Sequence, residues 1–154
     1  MGVGKSYLLY TLAAGYRMNR DRFRVTYIND CSQWMADPFD YLLRELVITF
    51  YDDVIKGKSI VDWCQGLNDD EKKEKLTRKL IKRLVKYTTK NNLEWIFICD
   101  QYSALKVVDD SVPFKTIHDL AAKGCKHVKI VISASAKNND GFLCIYIYIF
   151  YAGK

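Results

Sequence analysis

Gly2-Val3-Gly4-Lys5-Ser6 brings together the residue types that hold a polyphosphate. Glycines let backbone N–H groups converge on an anion with no Cβ in the way. A lysine directly after them can reach β- and γ-phosphates, and a serine hydroxyl can hold Mg²⁺. Tyr7 opens an apolar run that reads as a helix to about Arg20, whose N-terminus would add the positive end of its dipole. The stretch is the second half of the pattern Gly-x-x-x-x-Gly-Lys-Ser/Thr. A glycine-rich tail ahead of an ordinary helix explains five residues almost as well, so a second motif has to decide.

Trp95-Ile-Phe-Ile-Cys-Asp100 supplies it. A buried strand ending in Asp places a carboxylate at the sheet's carboxyl edge, where it can support the water shell of Mg²⁺. Ligands of open α/β sheets bind at that edge, so Lys5 and Asp100 can converge despite their separation in sequence. A polar strand end capping the next helix is the plainer alternative. A third, weaker element is Val128-Lys-Ile-Val-Ile-Ser133, a strand ending in small polar residues with Ser135 and Asn138 nearby, suited to sensing a γ-phosphate. Guanine nucleotides are disfavoured: Asp100-Gln-Tyr-Ser lacks the switch glycine, and no Asn-Lys-x-Asp follows.

These residues need a scaffold, and the chain alternates helical and strand-like segments. In the helix after Ser6, Leu8, Leu12 and Tyr16 form a stripe. Phe23 to Ile28 is strand-like. Asp37-Pro38 supplies a cap and a first-turn proline for a helix to about Val54, with Leu42, Leu43, Leu46, Val47 and Phe50 inward. A polar loop anchored by Trp63 and Cys64 follows. Asn68 and Glu71 resemble a capping box for a helix to about Thr89. Leu93 to Cys99 reads as a strand buried on both faces. A helix over Phe114 to Lys123 stops at Gly124, His127 to Ser133 is a strand, and Lys137 to Gly141 is a turn. The run Phe142 to Tyr151 is too short to span a membrane as a helix and favours a strand. The fold class expected is α/β, with a parallel sheet and flanking helices.

The composition agrees with one globular domain. The 154 residues are 49% hydrophobic and 27% charged, which excludes disorder as a description of the whole chain. A net charge of +6 favours anionic partners without naming one. The helix over 69–89 is dense in Lys and Arg; it could meet nucleic-acid phosphates or offer an arginine to a γ-phosphate, although a solvated face is the plainer reading. The five cysteines have no framework or zinc spacing, a usage typical of reducing, intracellular compartments. His118 and His127 read as surface or edge residues, and no membrane partner is expected.

Gly-Val-Gly-Lys-Ser-Tyr-Leu-Leu-Tyr10, Val25-Thr-Tyr-Ile-Asn-Asp-Cys-Ser-Gln-Trp34, Pro38-Phe-Asp-Tyr-Leu42 and Ile98-Cys-Asp-Gln-Tyr-Ser-Ala-Leu105 together resemble the P-loop ATPase region of crinkler-type effectors of oomycetes and mycorrhizal fungi. The resemblance covers about residues 2 to 138. It implies a P-loop NTPase-like sheet binding ATP and Mg²⁺, in a secreted effector acting in host cells, often in the nucleus. On that pattern Gly2, Val3, Gly4, Lys5, Ser6, Tyr7 and Ser133 contact the nucleotide. Ser6 and Asp100 serve the metal, and Asp100 and Gln101 the hydrolysis.

Three departures from the pattern shape the expectations. The first P-loop glycine would fall before Met1, so the P-loop strand is expected to be missing from a domain over 1–138. Gln101 stands where many such ATPases carry a Glu; it can orient water but not take its proton, so hydrolysis should be slow. The tail over 139–154 matches nothing in the family, and its residues 142–151 are expected to fold back as a hairpin beside the Ser133 strand, covering that edge. A P-loop kinase and a non-catalytic nucleic-acid-binding module are the alternative functions.

Overall fold

The computed structural model describes residues 3–65, 70–101, 111–122, 127–137 and 143–151. Four strands form one sheet: β1 (Phe23–Ile28), β4 (Glu94–Cys99), β5 (Val128–Lys137) and β6 (Leu143–Tyr151), in the order β1-β4-β5-β6. The first three are parallel, and β6 runs antiparallel to β5, with Ser133 opposite Ile147. The sheet is flanked by helices, so the α/β class and the parallel core hold. Residues 143–151 do pair beside the Ser133 strand. Lys137, expected in a turn, is the last residue of β5, and the rest of the expected turn segment, 138–141, lies outside the described residues.

Period-two alternation divides the core. Trp95, Phe97 and Cys99 of β4 and Val128, Ile130 and Ile132 of β5 face one layer. There they meet α2 (Cys31–Ala36), α3 (Pro38–Thr49), α5 (Asp70–Lys90) and α6 (Val112–Ala122). Ile96, Ile98, Val25 and Val131 face the other side, against Leu9 and Ala13 of α1 (Val3–Arg17). Burying β4 on both faces explains its unbroken apolar run.

Several boundaries differ from the sequence expectation. α1 starts at Val3 and ends at Arg17, so Gly4, Lys5 and Ser6 lie in its first turn. Its inward stripe is Leu9, Leu12, Ala13 and Tyr16, while Leu8 is exposed. From Tyr7 to Tyr16 the helix is apolar nearly all round, so its sequence pattern fits more than one rotation. α3 keeps the Asp37 cap and Pro38 but stops at Thr49. The polar loop after it is structured: β2 (Val54–Ile55) and β3 (Lys58–Ser59) form a hairpin, and α4 (Ile60–Cys64) opens with a Ser59–Asp62 capping box. Its buried anchors are Ile55 and Ile60; Trp63 is half-buried, with Arg83 3.9 Å above its ring. α6 begins at Val112, and Asn68 and Gly124 lie outside the described residues.

A buried ion pair clasps β1 to the loop after α3. Arg24 Nε and Nη2 donate to Asp53 Oδ2 and Oδ1 at 2.6 and 2.7 Å, and Tyr87 Oη of α5 donates to Oδ1 at 2.6 Å. The hydrogen bond from Arg24 to Asp53 is the main cause that raises the guanidinium's pKa. Leaving one partner of such a pair unmatched is costly, whereas replacing both with apolar groups of similar volume often is not. Asp53→Ala should therefore cost about 3–5 kcal/mol in urea unfolding. The double variant Arg24→Met with Asp53→Leu should recover most of that loss. Equal losses in the single and double variants would contradict this account.

Candidate functional site

The direction of α1 follows from two ring contacts. Tyr16 packs edge-on against Phe23 at the start of β1, with centroids 4.8 Å apart, and Tyr10 lies 6.4 Å from Tyr27 near its end. α1 thus runs antiparallel to β1, and its N-terminus is directed to the carboxyl edge of the parallel strands. Gly4 and Ser6 are in that first turn, with Ser6 half-buried and Tyr7 largely exposed. Val3 and Lys5 belong to the same turn by their backbone. Gly2 lies outside the described residues.

Asp100 and Ser133 meet at this edge. Continuing the alternation of Ile96 and Ile98, and of Val131, puts both on the α1 side of the sheet. Ser133 Oγ donates to Asp100 Oδ1 at 2.5 Å, and the Gln101 amide donates to the same oxygen at 2.8 Å and approaches Ser133 Oγ at 3.3 Å. Asp100 is 1% exposed and Ser133 fully buried. Asp100 Oδ2 accepts no bond among the described residues. Nor does the carboxylate have a cationic partner among the described side chains, in contrast to Asp53 with Arg24. A buried carboxylate satisfied only by neutral donors is electrostatically incomplete.

Gln101 is exposed and adopts φ +57°, the left-handed region. For a residue with a Cβ this costs about 1–2 kcal/mol. Among the described residues the other non-glycine positions of this kind, Lys56 and Asn92, sit in turns at the β2–β3 hairpin and before β4, whereas Gln101 lies just past the end of a central parallel strand. Backbone strain of that kind concentrates at functional edges. Ser135 lies further along β5, and Asn138 is outside the described residues.

Three neighbours had no signal in the sequence spacing. Cys31 Sγ, at the start of α2, donates to the Asp100 carbonyl at 2.9 Å across 69 positions of chain. Burial, then its hydrogen bond to Cys31, push the Cys99 thiol well above its usual pKa, so Cys99 reads as a packed thiol. Asp30 caps α2 through the amides of Ser32 and Gln33. Burial, with the Asp100 charge second, pushes the Tyr27 phenol up to about 12.

Among the described residues no group of three or more His, Cys, Asp or Glu is placed to hold a metal. No helix among them is long and apolar enough to cross a membrane. A Mg²⁺ bound to a nucleotide needs less from the protein, one or two oxygen ligands besides phosphate and water. The hydroxyl of Ser6 and the carboxylate of Asp100 are of the right chemistry for that role. No protein-family model, curated protein or solved structure matches the chain.

The field of Asp100 on Tyr27 can be measured. Asp100→Asn should lower the Tyr27 pKa from about 12, read as an earlier ultraviolet tyrosinate transition absent in a Tyr27→Phe background. An unchanged transition would place the carboxylate charge elsewhere. Tyr87 is also raised to about 12, above the usual 10.0. Both phenols keep protons that the unfolded chain has released, so their contribution is complete below pH 10 and is lost as pH rises toward 12.

Proposed function

We propose that this chain is the ATP-binding P-loop module of a crinkler-like effector, binding Mg-ATP between the N-terminus of α1 and the carboxyl ends of β4 and β5. The observation that carries the reading is the buried Asp100 carboxylate without a cationic partner among the described side chains, on the sheet face that α1 covers and at the edge to which its N-terminus is directed. Gly4 adds support. Glycine inside a helix costs about 1 kcal/mol relative to Ala, and a Cβ there would meet nothing within 4 Å. Packing therefore does not demand glycine. The same holds at Gly15, but only Gly4 sits at the open end where a phosphate could lie against the backbone.

On this reading the amides of Gly2, Val3 and Gly4 receive phosphate oxygens, with Lys5 and Ser6 completing the cradle and Tyr7 beside it. Asp100 is pinned at one oxygen by Ser133 and the Gln101 amide, and offers Oδ2 to the metal's water shell. Mg²⁺ would neutralise charge on the phosphates when bound. Gln101 orients water without accepting its proton, so turnover is slow. Catalysis here rests on position and charge, with no covalent step.

A second reading rests on α5, where Lys75, Lys79, Lys82, Lys86 and Lys90 recur on one exposed face. It makes the chain a nucleic-acid-binding module, and steeply salt-dependent DNA or RNA binding indifferent to ATP would favour it.

Calorimetry with Mg-ATP tests the first reading. The wild-type chain should bind, and Lys5→Ala should weaken binding roughly 10- to 100-fold, the worth of a charge-assisted contact. Chelating Mg²⁺ should weaken it as well. No binding by a chain shown to be folded, or equal binding by Lys5→Ala, would overturn the proposal.

A further inference from the structure

On the opposite layer, α5 and α6 leave between them a groove with a cavity of about 350 Å³. Its floor is apolar: Phe39, Ile81, Val85 and Leu120. Phe39, Ile81 and Val85 are only half-buried, so the core beneath does not fully cover them. The groove floor lies on the layer opposite the sheet face that carries Asp100, and its lining is distinct from the residues at that edge.

The lip of the groove decides what it would accept. Arg78, Lys82 and Lys86 line it at i, i+4 and i+8, spread over about 12 Å of α5. Arg78 pairs with Glu74 at 2.8 Å, whereas Lys82 and Lys86 are exposed without an acidic partner among the described residues. The α6 wall contributes Lys115 and one carboxylate, Asp119. An anionic lipid or small carboxylate would need its cations gathered at one end. Here they run the length of the lip, one per helical turn. A nucleic acid would match the cations but would leave the apolar floor unused.

We infer that the α5–α6 groove docks an acidic amphipathic helix of a partner protein, with its apolar stripe on Ile81, Val85 and Leu120 and its carboxylates against Lys82 and Lys86. The two helical walls make the helix-in-groove mode the natural one. Apolar contact supplies the affinity, and the row of charges sets orientation and on-rate. This inference is independent of nucleotide binding.

The test uses the full chain and a fluorescently labelled synthetic helix of about four turns, with leucine at i, i+3 and i+7 and glutamate on both flanks. Anisotropy should show saturable binding. A scrambled peptide of the same composition should bind at least roughly tenfold more weakly, because it loses the apolar stripe. Lys82→Glu with Lys86→Glu should also cost roughly tenfold, mainly by slowing association. Thr116→Trp, which fills the groove from the α6 wall, should abolish binding. The charge variant alters only exposed side chains, so it carries the test if Thr116→Trp melts early. Lys5→Ala should bind the peptide like the wild type. Equal binding of the scrambled peptide would overturn the inference, as would no peptide binding, or binding of duplex DNA or RNA alone with loss in the charge variant.

Discussion

Trp95 joins three elements through one side chain. Its ring lies between Phe50 of the α3 C-terminus and Phe97 of its own strand, with centroids 5.3 and 6.1 Å away. Its indole N–H donates to Thr26 of β1 at 2.9 Å, and Thr26 in turn shares a hydrogen bond with Thr49 of α3. Thr49 Oγ1 also lies 3.1 Å from the Val25 carbonyl and 2.7 Å from that of Glu45. All of this is buried. Each member left unpaired would cost about 1–3 kcal/mol, so register and helix position are fixed together. A slip of β4 by one residue would pull the indole off Thr26 and turn Trp95 toward α1.

That register has consequences five residues along, at Asp100. With Trp95, Phe97 and Cys99 committed to the layer of α2 to α6, Ile96, Ile98 and Asp100 belong to the α1 side. The parallel pairing of Ile98 with Val131 then brings Ser133 level with the end of β4, where it meets the Asp100 carboxylate. The Asp100 amide donates to the Ile28 carbonyl at 2.8 Å, so the first residue beyond the strand is still tied to β1. A packing decision at the amino end of β4 thus determines which chemistry faces the helix that carries Lys5.

The parts of this arrangement legible in the sequence are those governed by local rules. Asp37-Pro38 announces a helix start through capping and a fixed φ, and the continuous apolar run of β4 announces a strand without a solvent face. Tertiary pairings across long separations left no local trace. Arg24 reads as an ordinary strand cation until Asp53 and Tyr87 are seen around it, and Cys31 reads as a lone thiol until Asp100 is seen beneath it. The short α2 was missed for a related reason: six residues give too few turns for a period to emerge, and its stability comes from Asp30 at the cap and Trp34 against Phe97. In α1 the obstacle is the opposite, since nearly every position from Tyr7 to Tyr16 is apolar and several stripes fit.

Two buried carboxylates show how differently one residue type can be used in a small fold. Asp53 is matched by a bidentate guanidinium and a phenol, which closes its valences and holds β1, α5 and the loop after α3 together. Asp100 receives a hydroxyl and an amide on one oxygen and no cation among the described side chains. If its role were only to end a strand, a neutral Asn or Ser could accept the same two bonds without the desolvation cost of a charge. On the proposed reading, an aspartate there serves a cation that arrives from outside the sheet, from Lys5 or from a nucleotide-bound Mg²⁺. The left-handed Gln101 fits the same logic, because that turn aims its amide at Asp100 Oδ1 and leaves its side chain exposed at the edge. What is structurally incomplete at Asp100 is, on the proposed reading, what the nucleotide completes.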